Sequence, residues 1–181
     1  MAIVRVSTIA LVLLCAVLAA PLFGQTPDEK EVMAYRLSME KVQKLADAFR
    51  NLVKVAENDP ALYAKIRKAE KDAPAAAGKV DVSAVVRKFE AGGPKIMGAV
   101  TSTGLTPREF VVCNIAFLQA AMANAFFKGK LDKLPLTIPR ENVEFVQKNE
   151  KEIESIMSEI RSLSKRLEAT AEDDDDDDDD N

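Results

Sequence analysis

Asn114, Gln119 and Asn124 are the only side-chain amides in residues 110–127, a stretch of eighteen without a charged residue in a chain that is 30% charged. An amide placed among apolar neighbours must find a partner or cost roughly 1–3 kcal/mol. Their spacing spreads them widely around a helix, so they do not form one polar stripe. They are therefore the candidates for polar specificity in an apolar ligand pocket beside residues 106–128.

Other chemistry is sparse. The chain has no histidine, which removes the commonest general base, the usual activator of a nucleophile and the commonest transition-metal ligand. Cys113 would need a cationic, partly exposed setting to be reactive, yet Phe110, Val112, Asn114 and Phe117 offer none, so it reads as a buried inert thiol. One body cysteine cannot build a zinc or iron–sulfur site, and no haem-attachment motif is present. Glu150 and Glu154 stand four apart on a charged helix face, where carboxylates are solvated rather than catalytic. Gly92-Gly93-Pro94 stops a helix and does not cradle phosphate. The chain reads as a non-enzyme with no catalytic residue, no metal ligand and no cofactor.

The ends set the compartment. Arg5, an apolar run over 9–18 and small residues at Ala19 and Ala20 have the order of a secretory signal peptide spanning 1–24, cleaved after Ala19 or after Gly24. Cys15 belongs to its apolar stretch, since Leu14 before it is too large for a lipid-attachment motif. The remaining cysteine, Cys113, leaves the mature chain without an internal disulfide, so about 155 residues must be held by their core alone. At the other end, residues 172–181 read EDDDDDDDDN, a self-repelling tail expected to be disordered. Without signal and tail, the body carries 24 basic and 20 acidic residues. Such a tail can associate weakly with divalent cations, but it lacks the glycine turn of an ordered calcium loop. The slight basic excess is spread over several segments and aromatics make up 6%, which argues against nucleic acid.

Between these ends, residues 26–171 read as one helical domain. Thr26-Pro27-Asp28-Glu29 has capping-box spacing with proline at the first helical position. Val32, Tyr35, Met39, Val42, Ala46, Phe49, Val53 and Ala56 then form an apolar seam of a long helix, 28–57, with a possible break where Ser38 can cap. Asn58-Asp59-Pro60 ends it. A short helix over 61–71 and a loose linker over 72–79 follow. Asp81 or Ser83 caps a helix through Phe89; residues 95–102 make two further turns, and Gly104 with Leu105 closes them as a glycine C-cap.

Thr106-Pro107-Arg108-Glu109 repeats the capping box before the uncharged stretch, whose apolar side chains point in every direction. Eighteen residues is at the lower limit for a bilayer, so this reads as a central buried helix rather than a transmembrane span after signal cleavage. After a proline-marked connection, Thr137 or Asn142 caps a second long helix, 142–169. Val146, Ile153, Ile156, Ile160, Leu163 and Leu167 form its seam, interrupted by Asn149. The expected architecture is all-α: a single irregular helical bundle with a central apolar helix flanked by two long amphipathic ones.

Leu105-Thr106-Pro107-Arg108-Glu109-Phe110 followed by Asn142-Val143-Glu144-Phe145-Val146 resembles uncharacterised secreted bacterial all-helical proteins of this size. Leu105-Thr106-Pro107-Arg108-Glu109 is also similar to the L-T-x-x-Q motif of periplasmic Spy-type helical chaperones, in a single copy and with Glu109 in place of glutamine. Both resemblances imply a helical protein working in the envelope. The reading is an extracytoplasmic, non-catalytic helical protein that binds a protein partner, with a small apolar-ligand binder as the alternative.

Overall fold

Capping chemistry divides the chain. The computed structural model describes residues 26–62, 81–127 and 130–172, with side chains through 167. Thr26 and Glu29 exchange both bonds of the capping box, at 3.1 and 2.8 Å, and start α1 (Pro27–Ala34). Ser38 accepts from the Lys41 amide and starts α2 (Met39–Asn58), so the expected break is present. Asp81 caps α3 (Val82–Ala91) through the Ala84 amide at 2.7 Å. Gly93, at φ 78°, turns the chain into α4 (Gly93–Thr101). Gly104, at φ 83°, ends that segment in the left-handed conformation that glycine adopts without strain. Thr106 and Glu109 cap α5 (Pro107–Phe127) as the spacing predicts. A 3₁₀ turn at Leu131–Lys133 leads to α6 (Arg140–Lys148) and α7 (Glu150–Glu172). The described residues are helical with no strand, and the fold is all-α.

α5 is the centre. It packs against α1, α2, α3, α4 and α6, so although its length and composition would pass for a membrane-crossing helix, half of its apolar window is buried inside the protein. Phe110, Val111, Val112, Cys113, Ile115, Ala116, Phe117, Ala120 and Ala123 are buried. Each large side chain among them contributes about 1.5–3 kcal/mol of burial. Phe110 sits between two rings, 5.5 Å from Phe49 and 5.2 Å from Phe89. Burial does not reach the C-terminal end, where Phe126 is 68% exposed. The all-round apolar pattern therefore marks a core helix only as far as Ala123.

α2 and α7 form a registered parallel pair, in which α2 packs on α5 and α7 packs on α2. Gln43 bonds Glu152, Arg50 clasps Glu159 with two nitrogens, and Arg166 pairs with Glu57. Each partner lies 109 residues further along the chain, and the rungs recur every seven residues. A constant offset at heptad spacing requires two helices running in the same direction with their stripes facing. Val53, Ala56, Leu163 and Leu167 close the end of the seam. α2 buries a second stripe, Leu45, Ala48 and Leu52, beside the seam read from sequence. It needs both because it also packs against α4 and α5.

Two expectations are corrected. The helix expected over 142–169 is two helices, because Asn149 leaves helical geometry at φ −113°, ψ 26° and its side chain turns back to the Phe145 carbonyl at 2.8 Å. Asn142 is not a cap: Pro139 occupies that position, and neither Thr137 nor Asn142 fills it. Asn142 is buried, 1% exposed, and its amide serves the break between α1 and α2, accepting from the Leu37 N–H and donating to the Tyr35 carbonyl, both at 3.0 Å. Helix breaks leave such groups unpaired, and one distant side chain satisfies both. The expected signal peptide, the 61–71 helix beyond Leu62, the 72–79 linker and the aspartates after Glu172 lie outside the described residues.

Candidate functional site

The three amides of α5 do not converge. Asn114 and Gln119 are half-buried at separate bearings, and the Gln119 Oε1 is buried without a hydrogen-bond partner. Asn124 lines a groove, and Asn114 and Gln119 do not. α5 and α7 do not pack along one another, while α6 packs on both. The gap is a solvent-open groove of about 780 Å³.

One wall comes from α5, with Ala121, Asn124 and Ala125; its floor holds Val146, Ile153 and Met157. Its polar rim comes from Gln147 on α6 and from Glu150, Glu154, Ser158 and Arg161 on α7. Ala121 and Ala125 stand one turn apart and carry only methyl groups, so an incoming backbone can approach α5 closely. Among the described residues, the Gln147 Nε2 is buried without a hydrogen-bond partner. Apolar floor, small-residue wall and charged rim make this a contact surface. It can hold and orient a chain or ligand.

Two further polar clusters lie away from the groove. Arg108 on α5 reaches Glu31 and Asp28 on α1 and Ser83 on α3, the last two at 2.7 and 3.1 Å. Burial pushes the Asp28 carboxyl up, but the Arg108 guanidinium and the backbone N–H of Ser83 outweigh it and hold it below its ordinary value. This knot joins three helices at the capped end of α5.

Cys113 is fully buried, and burial pushes its thiol up to about 11, so the thiolate is suppressed at neutral pH. The Tyr35 hydroxyl beside it is raised by burial and then by that thiol. Among the described residues, no three His, Cys, Asp or Glu side chains gather as a metal site would require.

Of the candidates read from the sequence, Asn124 lines the groove, and the other lining residues are not among them. Asn142, the most buried polar side chain, carried a readable sign: it stands four residues before Val146, on the apolar seam rather than off it. Comparison of the chain with protein-family models, curated proteins and solved structures finds no match to any of them.

Proposed function

We propose that the protein is a non-catalytic helical interaction protein working outside the cytoplasm, and that the groove between the end of α5 and α7 is its contact surface. One observation carries the reading. The groove combines an apolar floor with charged groups, Glu150, Glu154 and Arg161, that make no ion pair among the described residues. The charges on the opposite, α2-facing side of α7 are paired. A surface open to solvent suits a polypeptide segment better than a small molecule, which pockets enclose on most sides. The extracytoplasmic address rests on residues 1–24 and is read out by N-terminal sequencing, with a mature start between Ala20 and Thr26 as the expected result.

The test of the contact surface is a photo-cross-linking residue at Ser158 in native cells, with Lys88 on α3 as the control. A discrete cross-linked band from Ser158 and none from Lys88 is the expected result; no band, or equal bands, contradicts it. A second reading, binding of a small apolar ligand, is favoured by the unpartnered Gln147 amide at the groove. It predicts saturable binding of an apolar fluorescent probe that Met157→Glu abolishes.

A further inference from the structure

The sequence of the α7 wall selects one occupant for the groove, an inference that rests on its reading as a contact surface. Glu150, Glu154, Met157 and Arg161 line the groove at steps of four, three and four residues. They form one stripe of α7, about 16 Å from first to last at 1.5 Å per residue. Acid stands at the N-terminal end of the stripe, arginine at the C-terminal end, and Met157 with the buried Ile153 between them. Turned end for end, the charged ends of such a stripe are complementary to each other.

A two-fold axis midway between residues 154 and 157 sets Glu150 of one copy opposite Arg161 of the other, twice, and sets each Glu154 opposite the other Met157. These charges are available, because Glu150, Glu154 and Arg161 make no ion pair among the described residues. The facing wall admits a close neighbour, since Ala121 and Ala125 present only methyl groups to the groove. A partner of unrelated sequence would need an acid-apolar-base order but no matching of this stripe to its own reverse. A second copy meets both conditions, and an isologous contact uses one patch on each chain.

We propose that the groove seats a symmetric homodimer in which α7 of a second copy crosses it antiparallel. Two Glu150–Arg161 ion pairs close the ends, with Met157 inside. A patch of this length is at the small end of specific interfaces, so the dimer forms in a concentration-dependent way.

The experiment is sedimentation equilibrium of the full chain at moderate salt from about 1 μM to about 1 mM, the range in which small interfaces associate. Mass rising from one chain to two is expected. E150R and R161E each place like charges opposite one another at both ends, and each should weaken association by about tenfold or more. An equimolar mixture of the two variants should recover it: the new cation of one chain faces the new anion of the other, and a native pair closes the far end. Both positions are exposed, and unchanged helical circular dichroism verifies the fold of each variant.

A wild-type chain that stays monomeric throughout, or a mixture associating no better than its components, overturns the dimer. A Ser158 cross-link at a mass other than two chains would overturn the dimer as well, while leaving the contact-surface reading intact. Absence of any Ser158 cross-link alongside a monomeric chain removes both.

Discussion

α7 presents two faces to two different environments. Toward α2 it offers Glu152, Glu159 and Arg166, each met by a partner 109 residues away, over a seam of Leu163 and Leu167. Toward the end of α5 it offers Glu150, Glu154 and Arg161 around Met157, with a groove where the packing partner would be. The two faces share one helix and similar composition, so composition cannot distinguish structure from contact surface. Pairing does: the charges of the first face are paired within the fold, and those of the second make no ion pair among the described residues.

The sharpest way to break this contrast is to truncate both kinds of position. Phe117, 1% exposed in the centre of α5, should cost about 3–5 kcal/mol when changed to alanine. Leu163→Ala on the α2 face should cost about 2–4 kcal/mol. Met157→Ala on the groove face should cost no more than about 1 kcal/mol, as at other partly exposed positions. Urea unfolding followed by circular dichroism measures all three, and a Met157 cost equal to that of Leu163 would erase the distinction.

Next in size is Asn142. Asn142→Leu keeps the branched heavy-atom outline, with a larger side chain, but strands the Leu37 N–H and the Tyr35 carbonyl, for a loss of about 2–4 kcal/mol. Amide exchange at Leu37 should accelerate in that variant more than exchange in α3.

The paired charges of the first face are exposed and should matter less. Arg50→Met should cost only about 0.2–1 kcal/mol despite its two-nitrogen grip on Glu159. Acid should remove the same contribution. The hydrogen bond from Arg50 holds the Glu159 carboxyl below its ordinary value. A depressed folded value means the stabilisation is present above the unfolded carboxylate range and fades as pH falls through the folded value. The Asp28 knot has the same sign, with Arg108 outweighing the burial that opposes it. Midpoints of urea unfolding should therefore be level near neutrality and decline below about pH 4, where unfolded carboxylates begin to protonate.

The smallest effect is kinetic. Cys113 should react with a thiol reagent slowly in the folded chain and rapidly in denaturant, because its thiol is both buried and raised to about 11.

Much of this fold was legible because its boundaries are chemical. Thr26 to Glu29, Thr106 to Glu109, Ser38 and Gly104 announce helix ends through local bonds that need no tertiary context. What escaped depends on distant chain. Asn149 breaks a continuous seam with a single side-chain turn to Phe145. Asn142 looks like a cap until the α1–α2 break is laid beside it. The stripe of Leu45, Ala48 and Leu52 is buried because α2 is covered on more than one side. Of the candidate residues, only Asn124 faces the groove, since that surface exists only where α5 and α7 diverge.

The central claim, that the groove face of α7 is covered when the protein works, can be read from a native reporter. Met157 lies in the groove, whereas Met33 and Met97 are half-buried elsewhere. Oxidative footprinting in intact native cells, compared with dilute purified protein, should show Met157 oxidised several-fold more slowly in cells while Met33 and Met97 keep their ratio. Equal slowing of all three, or no slowing of Met157, would contradict the account.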